Sequence, residues 1–384
     1  MTKKYFALLA VCLFCLAIFT SACGGGKNTP PDNSALYYFL AQQNANNNQQ
    51  ENNQQEQQNN NQQEENNNQE ENNNQEENNN QEDGAIEVTL DDDVLQKLGY
   101  QKEEKTEEIE GYEVTYYTLY SLKKGEEEIT SIEIPSTFTY ENKKYKITKI
   151  GNTAFFRCLS LNHITIPEGV TEIEDGDAYE NDEYTTPYGS FAGVGWLATE
   201  GITIELPNSL TKIGKNAFWG SAITTIEIPD SVNTIGICAF EGSNLTTITI
   251  PSSVTTIEDC VFANCQNLTS VNIPNSVTTI GEYAFGYSKL TSVTIPDSVI
   301  TIGEEAFNDC TSLTSVTIGN SVKTIGEGAF AWCESLTSVD IPNSVKTIGD
   351  DAFNGVNNIN YDTTKMKATG SPWGANKVNG QELI

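Results

Sequence analysis

The chain is nearly devoid of histidine: His163 is the single one in 384 residues. It has two methionines, four tryptophans, and 21 lysines and arginines against 53 aspartates and glutamates. That shortage of positive charge leaves a formal net charge of -32. Such a surface repels phosphate backbones and anionic lipid, so nucleic acid is excluded as a partner. After the N-terminus, no uninterrupted apolar run is long enough to cross a bilayer. The one C-x-x-C pair, Cys12 and Cys15, lies in the apolar N-terminal run; none accompanies the later cysteines, and with one histidine a zinc site there has no ligand set. Hydrophobic content is 37%, low for a compact domain because a long polar segment dilutes it.

What the chain has is a repeat. The stretch PNSVTTIGEYAFGYSKLTSVTIP, residues 274–296, returns with small changes almost to the end. A proline closes each copy at Pro207, Pro229, Pro251, Pro274, Pro296 and Pro342, and Gly319 takes its place once. These positions give intervals of 22, 22, 23, 22, 23 and 23 residues. A period of this length is the signature of a solenoid of stacked coils.

The residues within one copy agree. In LTSVTIP, residues 290–296, Val293 and Ile295 alternate with Ser292 and Thr294, the pattern of a half-buried strand. Pro296 has no N–H to continue a ladder and ends it. Val299, Ile302 and Gly303 follow, then Ala306, Phe307 and Cys310, spaced for a short extended piece and a turn or two of helix. A glycine follows the isoleucine at Gly214, Gly236, Gly281, Gly303, Gly326 and Gly349, with Glu258 in its place once. A positive φ is therefore expected to be favoured there but not required. One coil buries too few side chains to offset its own ordering entropy. Coils must therefore stack, and the ends of the stack need caps.

The pattern SVxTIGxxAFxxCxxLTSVxIP resembles the BspA-like, or treponemal-type, leucine-rich repeat, with Val and Ile in most places that Leu holds elsewhere. The match covers about 60% of the chain. The resemblance implies a right-handed α/β solenoid, mainly β, with a parallel sheet on its concave face and short extended and helical segments on the convex side. It also implies a bacterial surface adhesin that binds host matrix proteins or other cells.

In chain order, residues 1–22 read as a lipoprotein signal: Lys3 and Lys4, an apolar run over 5–19, then Thr20, Ser21 and Ala22 before Cys23. Cleavage before Cys23 would leave its thiol lipidated, while Cys12 and Cys15 leave with the signal. Residues 23–84 are a tether, almost entirely Asn, Gln and Glu over 42–82, with no apolar face to fold on. About 60 such residues span roughly 40–50 Å. Residues 85–128 are expected to cap the first coil, with a helix over 91–98 and a strand over 112–120. The repeat domain runs over 129–358, with an expected hairpin at 140–145 and an acidic, aromatic insertion at 175–188. Residues 359–384 are expected to cap the other end.

Three constellations invite a chemical reading. Cys158 and His163 are the only thiol and imidazole near each other in sequence, but the repeat buries Cys158 and turns His163 outward, so no nucleophile–base pair forms. The chain is therefore not expected to be an enzyme or to need a cofactor. Cys158, Cys265, Cys310 and Cys333 share the F-x-x-C place and are expected to be buried thiols. Cys238 and Cys260 are in phase on adjacent coils, within disulfide reach, so thiols and a bridge both remain open. The insertion carries Asp175, Asp177, Asp182 and Glu183, at a spacing that fits no EF-hand, so a solvated loop is expected and no metal.

This leaves the concave face. Its outward columns include Glu205, Glu227, Thr249, Asn272, Thr294, Thr317 and Asp340 beside Ser270, Ser292 and Ser315. Short polar side chains on a flat ladder suit an extended protein or glycan partner better than a small substrate. The expected protein is an exported, lipid-anchored, monomeric adhesin in the sense the resemblance implies, its partners being matrix proteins, glycans or other bacteria. The alternative is an envelope scaffold for complex assembly.

Overall fold

The computed structural model describes residues 85–104, 120–180, 185–195, 201–362 and 372–382. They form a parallel solenoid, and each regular coil contributes two short strands and a turn segment. The first strand is the expected one, as in Ser292–Thr294 and Ser315–Thr317, paired in parallel. The second is a two-residue strand at the Thr-Ile pair, where the spacing predicts only an extended piece. From Thr256–Ile257 to Thr347–Ile348 these pairs build a five-stranded parallel sheet, Ile over Ile. Proline turns the chain between the two strands: its carbonyl accepts from the valine three residues on, as in Val299 N to Pro296 O at 3.1 Å.

The turn segment is not helical. Along 236–243 every second N–H bonds within the coil, from Ala239 to Gly236, Glu241 to Cys238 and Ser243 to Phe240. The others bond to the next coil, from Cys238 to Asp259, Phe240 to Val261 and Gly242 to Ala263. Alternation of this kind needs left-handed residues, here Cys238 (φ 55°) and Gly242 (φ 67°). A helix would turn all these donors inward and leave the coils unjoined. The expected positive φ after each Ile-Gly pair falls two residues later, at Asn216, Cys238, Cys260, Tyr283, Glu305 and Asp351.

The glycines themselves are required for space. A Cβ on Gly214 would lie 2.3 Å from Glu174 O, on Gly326 2.5 Å from Glu304 N, and on Gly349 2.3 Å from Glu327 N. They let one coil's backbone rest on the last.

The core is a column of rings. Phe155, Phe191, Phe218, Phe240, Phe262, Phe285, Phe307, Phe330 and Phe353 are fully buried. Each stacks on the next with centroids 5.0–5.7 Å apart. Aromatic stacking at this offset adds to the burial of each ring. Phe191 shows that the long interval from Pro167 to Pro207 is one coil with an excursion. That excursion is a hairpin of Asp177–Glu180 and Thr185–Tyr188 rather than a loop. Asp175 at its base is tied in: it accepts from Lys215 N at 2.9 Å and Lys212 Nζ at 2.9 Å. Partial burial works against its ionisation, but these two donors hold its carboxyl below the usual range.

The hairpin expected at 140–145 is present: Thr137–Tyr140 and Lys143–Ile150 pair antiparallel around Glu141 and Asn142, both left-handed. Before it, Ile86–Leu90 pairs in parallel with Lys143–Ile150, and the helix Asp92–Lys97, N-capped by Asp91, puts Val94 and Leu95 into the core. The strand expected over 112–120 lies outside the described residues up to Tyr120, where Tyr120–Lys124 begins. At the far end, Lys377–Val378 pairs in parallel with Asn358–Asn360 and antiparallel with Gln381–Glu382.

Candidate functional site

The outward columns of the first strand stand where the alternation puts them. Thr249, Asn272, Thr294, Thr317, Ser270, Ser292 and Ser315 are exposed, while Ile248 and Val293 between them are buried. Two predicted site residues already have partners. Glu205 accepts from Thr165 Oγ1 at 3.1 Å and lies 4.0 Å from His163 Nε2. Asp340 accepts from Asn360 Nδ2 at 2.7 Å, within a network of Ser338, Asn358 and Asn360 that the sequence reading did not gather. Cys23 lies outside the described residues.

The ladder carrying these columns is not continuous. Ser131–Glu133, His163–Thr165 and Thr203–Glu205 form one piece, Thr247–Thr249 and Ser270–Asn272 a second, Ser292–Thr294 and Ser315–Thr317 a third. The breaks follow coil length. Coils that carry Ser221, Ser243 or Ser288 at the F-x-x-C place are one residue shorter between phenylalanine and the next strand, and each such strand fails to pair with the one before it. Coils with Cys158, Cys265 and Cys310 pair backward; that with Cys333 is the exception. One missing residue shortens the link into the strand and shifts its register.

Residues 225–228 sit between two short coils. Among the described residues they alone, of the coils over 129–358, pair with neither neighbour, and their peptide groups make no hydrogen bond to adjacent coils. Ile226 and Ile228 are half-buried, whereas Ile248 and Ile250 in the next coil are 4% and 2% exposed. A groove of about 660 Å³ opens here, lined by Thr203, Ile204, Glu205 and Leu206, by residues 225–228, and by Thr247, Ile248 and Thr249. Glu227 is exposed at its centre.

The second sheet opens at the same level. One ladder ends at Thr234–Ile235 and the next starts at Thr256–Ile257. At this junction Glu258 stands where the following coils have glycine. The Phe240–Phe262 pair at this level has the widest spacing of the column, 5.7 Å. Glu174 holds the same place elsewhere, but there the chain leaves at once for the hairpin.

Cys158 and Cys265 are not activated thiols. Cys158 is fully buried, and burial pushes its thiol up to about 12; burial does the same to Cys265. The side chain of His163 is 38% exposed on the opposite side of its strand from the core. Cys238 and Cys260 are free thiols, joined by a side-chain hydrogen bond that raises Cys238 further, with burial second. Among the described residues no group of three or more His, Cys, Asp or Glu is placed to hold a metal, and no helix is long and apolar enough to cross a membrane.

The family model for the BspA type leucine rich repeat region matches six copies, over residues 120–184, 198–311 and 278–370. The chain belongs to the BspA-type leucine-rich repeat family. No curated protein matches it. Among solved structures, it is similar to a leucine-rich repeat protein from Bacteroides ovatus at 23% identity, over 72% of this chain and 88% of that one, with a TM-score of 0.30. A leucine rich cell surface protein from Faecalibacterium prausnitzii matches at 22%, over 74% and 94%, with a TM-score of 0.32. The pneumococcal vaccine antigen PcpA matches at 18%, over 77% and 86%, with a TM-score of 0.42. In this BspA-type chain, the repeat signature was legible in the sequence, but the groove at 225–228 was not. Its signal was there in the two consecutive 22-residue intervals.

Proposed function

We propose that this BspA-type chain is an exported, lipid-anchored surface protein that binds other proteins through the hydroxyl-rich face of its first strands. The observation that carries this reading is the long run of exposed Ser, Thr, Asn and carboxylate side chains on the outward side of the first strands. A surface of that kind makes many weak contacts over a long partner, as repeat proteins do. Anchoring rests on Thr20, Ser21, Ala22 and Cys23, reach on the tether over 23–84, and closure of the stack on the segments at 85–128 and 359–384. Host matrix proteins or neighbouring cells are the partners we propose, with glycans as a further class, and the chain acts as a monomer.

The test has two arms. Intact cells treated with protease should lose the repeat domain; protection would point instead to an envelope scaffold. The isolated repeat segment should bind one or more immobilised matrix proteins, and Thr249→Ala/Asn272→Ala should weaken that binding. Binding to none of a broad panel would remove the adhesive reading.

A further inference from the structure

We propose that the groove at residues 225–228 is a distinct recognition site for an extended, cationic segment of a partner protein. This rests on the reading above, that the strand face binds proteins, and gives it a place and a ligand chemistry. Three observations converge on it. Residues 225–228 keep peptide N–H and carbonyl groups that no neighbouring coil satisfies, in a ladder where every other coil over 129–358 pairs at least once among the described residues. Exposed peptide groups of this kind are what an added extended chain bonds to.

The floor of the groove is apolar. Ile226 and Ile228 are half-buried beside Ile204 and Ile248, which gives alternate side chains of an extended ligand something to cover. The rim is anionic. Glu205 and Glu227 stand in one column on successive coils, and Glu227 has no partner among the described residues. Two carboxylates lining one groove suit a guanidinium or ammonium group. The same charge argues against the other occupants. The chain's own tether is rich in glutamate, and a second copy brings the same net charge of -32.

The probes are an alternating Arg-Val octapeptide and its Glu-Val counterpart, each fluorescently labelled, titrated with the full chain. The Arg-Val peptide should bind and the Glu-Val peptide should not. Glu205→Gln/Glu227→Gln should weaken binding about tenfold or more, as loss of a charge-matched contact does. Glu282→Gln/Glu304→Gln removes the same charge from the turn side and should change it less than about twofold. Equal losses in the two double variants would mean diffuse attraction and would overturn the site, as would no binding by the wild type. Self-association in sedimentation that disappears with Glu205→Gln/Glu227→Gln would also overturn it, in favour of a second copy. All four carboxylates are solvent-accessible, so unchanged melting temperatures should accompany these results. Matrix binding measured on the same variants separates the two levels. If it survives Glu205→Gln/Glu227→Gln but the peptide result fails, the groove is wrong and the strand-face reading stands.

Discussion

At the residue scale, position in the coil decides what a side chain is worth. Phe307 is fully buried between Phe285 and Phe330, at 5.2 Å from each. Phe307→Ala should cost about 3–5 kcal/mol, because two flat neighbours cannot close the gap. Thr294→Ala, on the exposed side of a strand, should leave stability within about 0.5 kcal/mol. Chemical denaturation of both variants checks the order, and the reverse order would mean the two faces are exchanged. The buried thiols set a pH dependence. Cys158 and Cys265 are raised from 9.0 to about 12 by burial. Below pH 9 both are protonated, folded or unfolded, and their contribution is complete. As pH rises from 9 towards 12, only the unfolded chain releases these protons, so stability falls, on the order of 4 kcal/mol per thiol over the window. Melting temperature against pH should drop less steeply above pH 9 for Cys265→Ala than for the wild type; equal slopes would contradict it.

At the scale of the element, the Ile-Gly step shows where sequence reasoning stops. The recurrence of glycine was plain, and conformational freedom was the natural explanation. The structure assigns it to contact between coils, because a Cβ there strikes backbone at 2.3–2.6 Å in Gly214, Gly326, Gly303 and Gly349. That depends on what lies above and below, which no single copy reveals. Gly326→Ala should therefore destabilise by about 1–3 kcal/mol, more than a glycine-to-alanine change in open backbone. Glu258→Gly should do the opposite and let the second sheet run on from Thr234–Ile235 into Thr256–Ile257. Calorimetry of the pair should show opposite shifts. The strands, the phenylalanine phase and the outward columns were readable from alternation alone. Ala306, Phe307 and Cys310 have helical spacing, and that spacing alone predicts a helix at the turn. The left-handed residues that divert alternate N–H groups to the next coil carry no strong mark, since Cys, Tyr and Glu fill those places as readily as Asn.

At the scale of the whole repeat stack, cohesion is uneven. The five-stranded sheet from Thr256–Ile257 to Thr347–Ile348 and the sheet ending at Thr234–Ile235 are separate ladders, joined at this level by turn bonds such as Phe240 N to Val261 O and by Thr246 N to Thr224 O. Opening should begin there, where peptide groups are least engaged. Hydrogen exchange under native conditions should find the amides of 225–228 the least protected in the middle of the stack, and those of Gly281, Gly303 and Gly326, which donate to the preceding coil at 2.8–2.9 Å, among the most protected. Uniform protection across the junction would show that the two ladders act as one.

Coil length also acts as an address. A chain built from interchangeable modules can lose or gain one whole module by recombination without harming the fold, since every module presents the same faces. Whether two abbreviated modules end up side by side then depends only on their order. Shuffling modules of two lengths would relocate the gap in steps of one strand spacing, leaving each module's chemistry untouched.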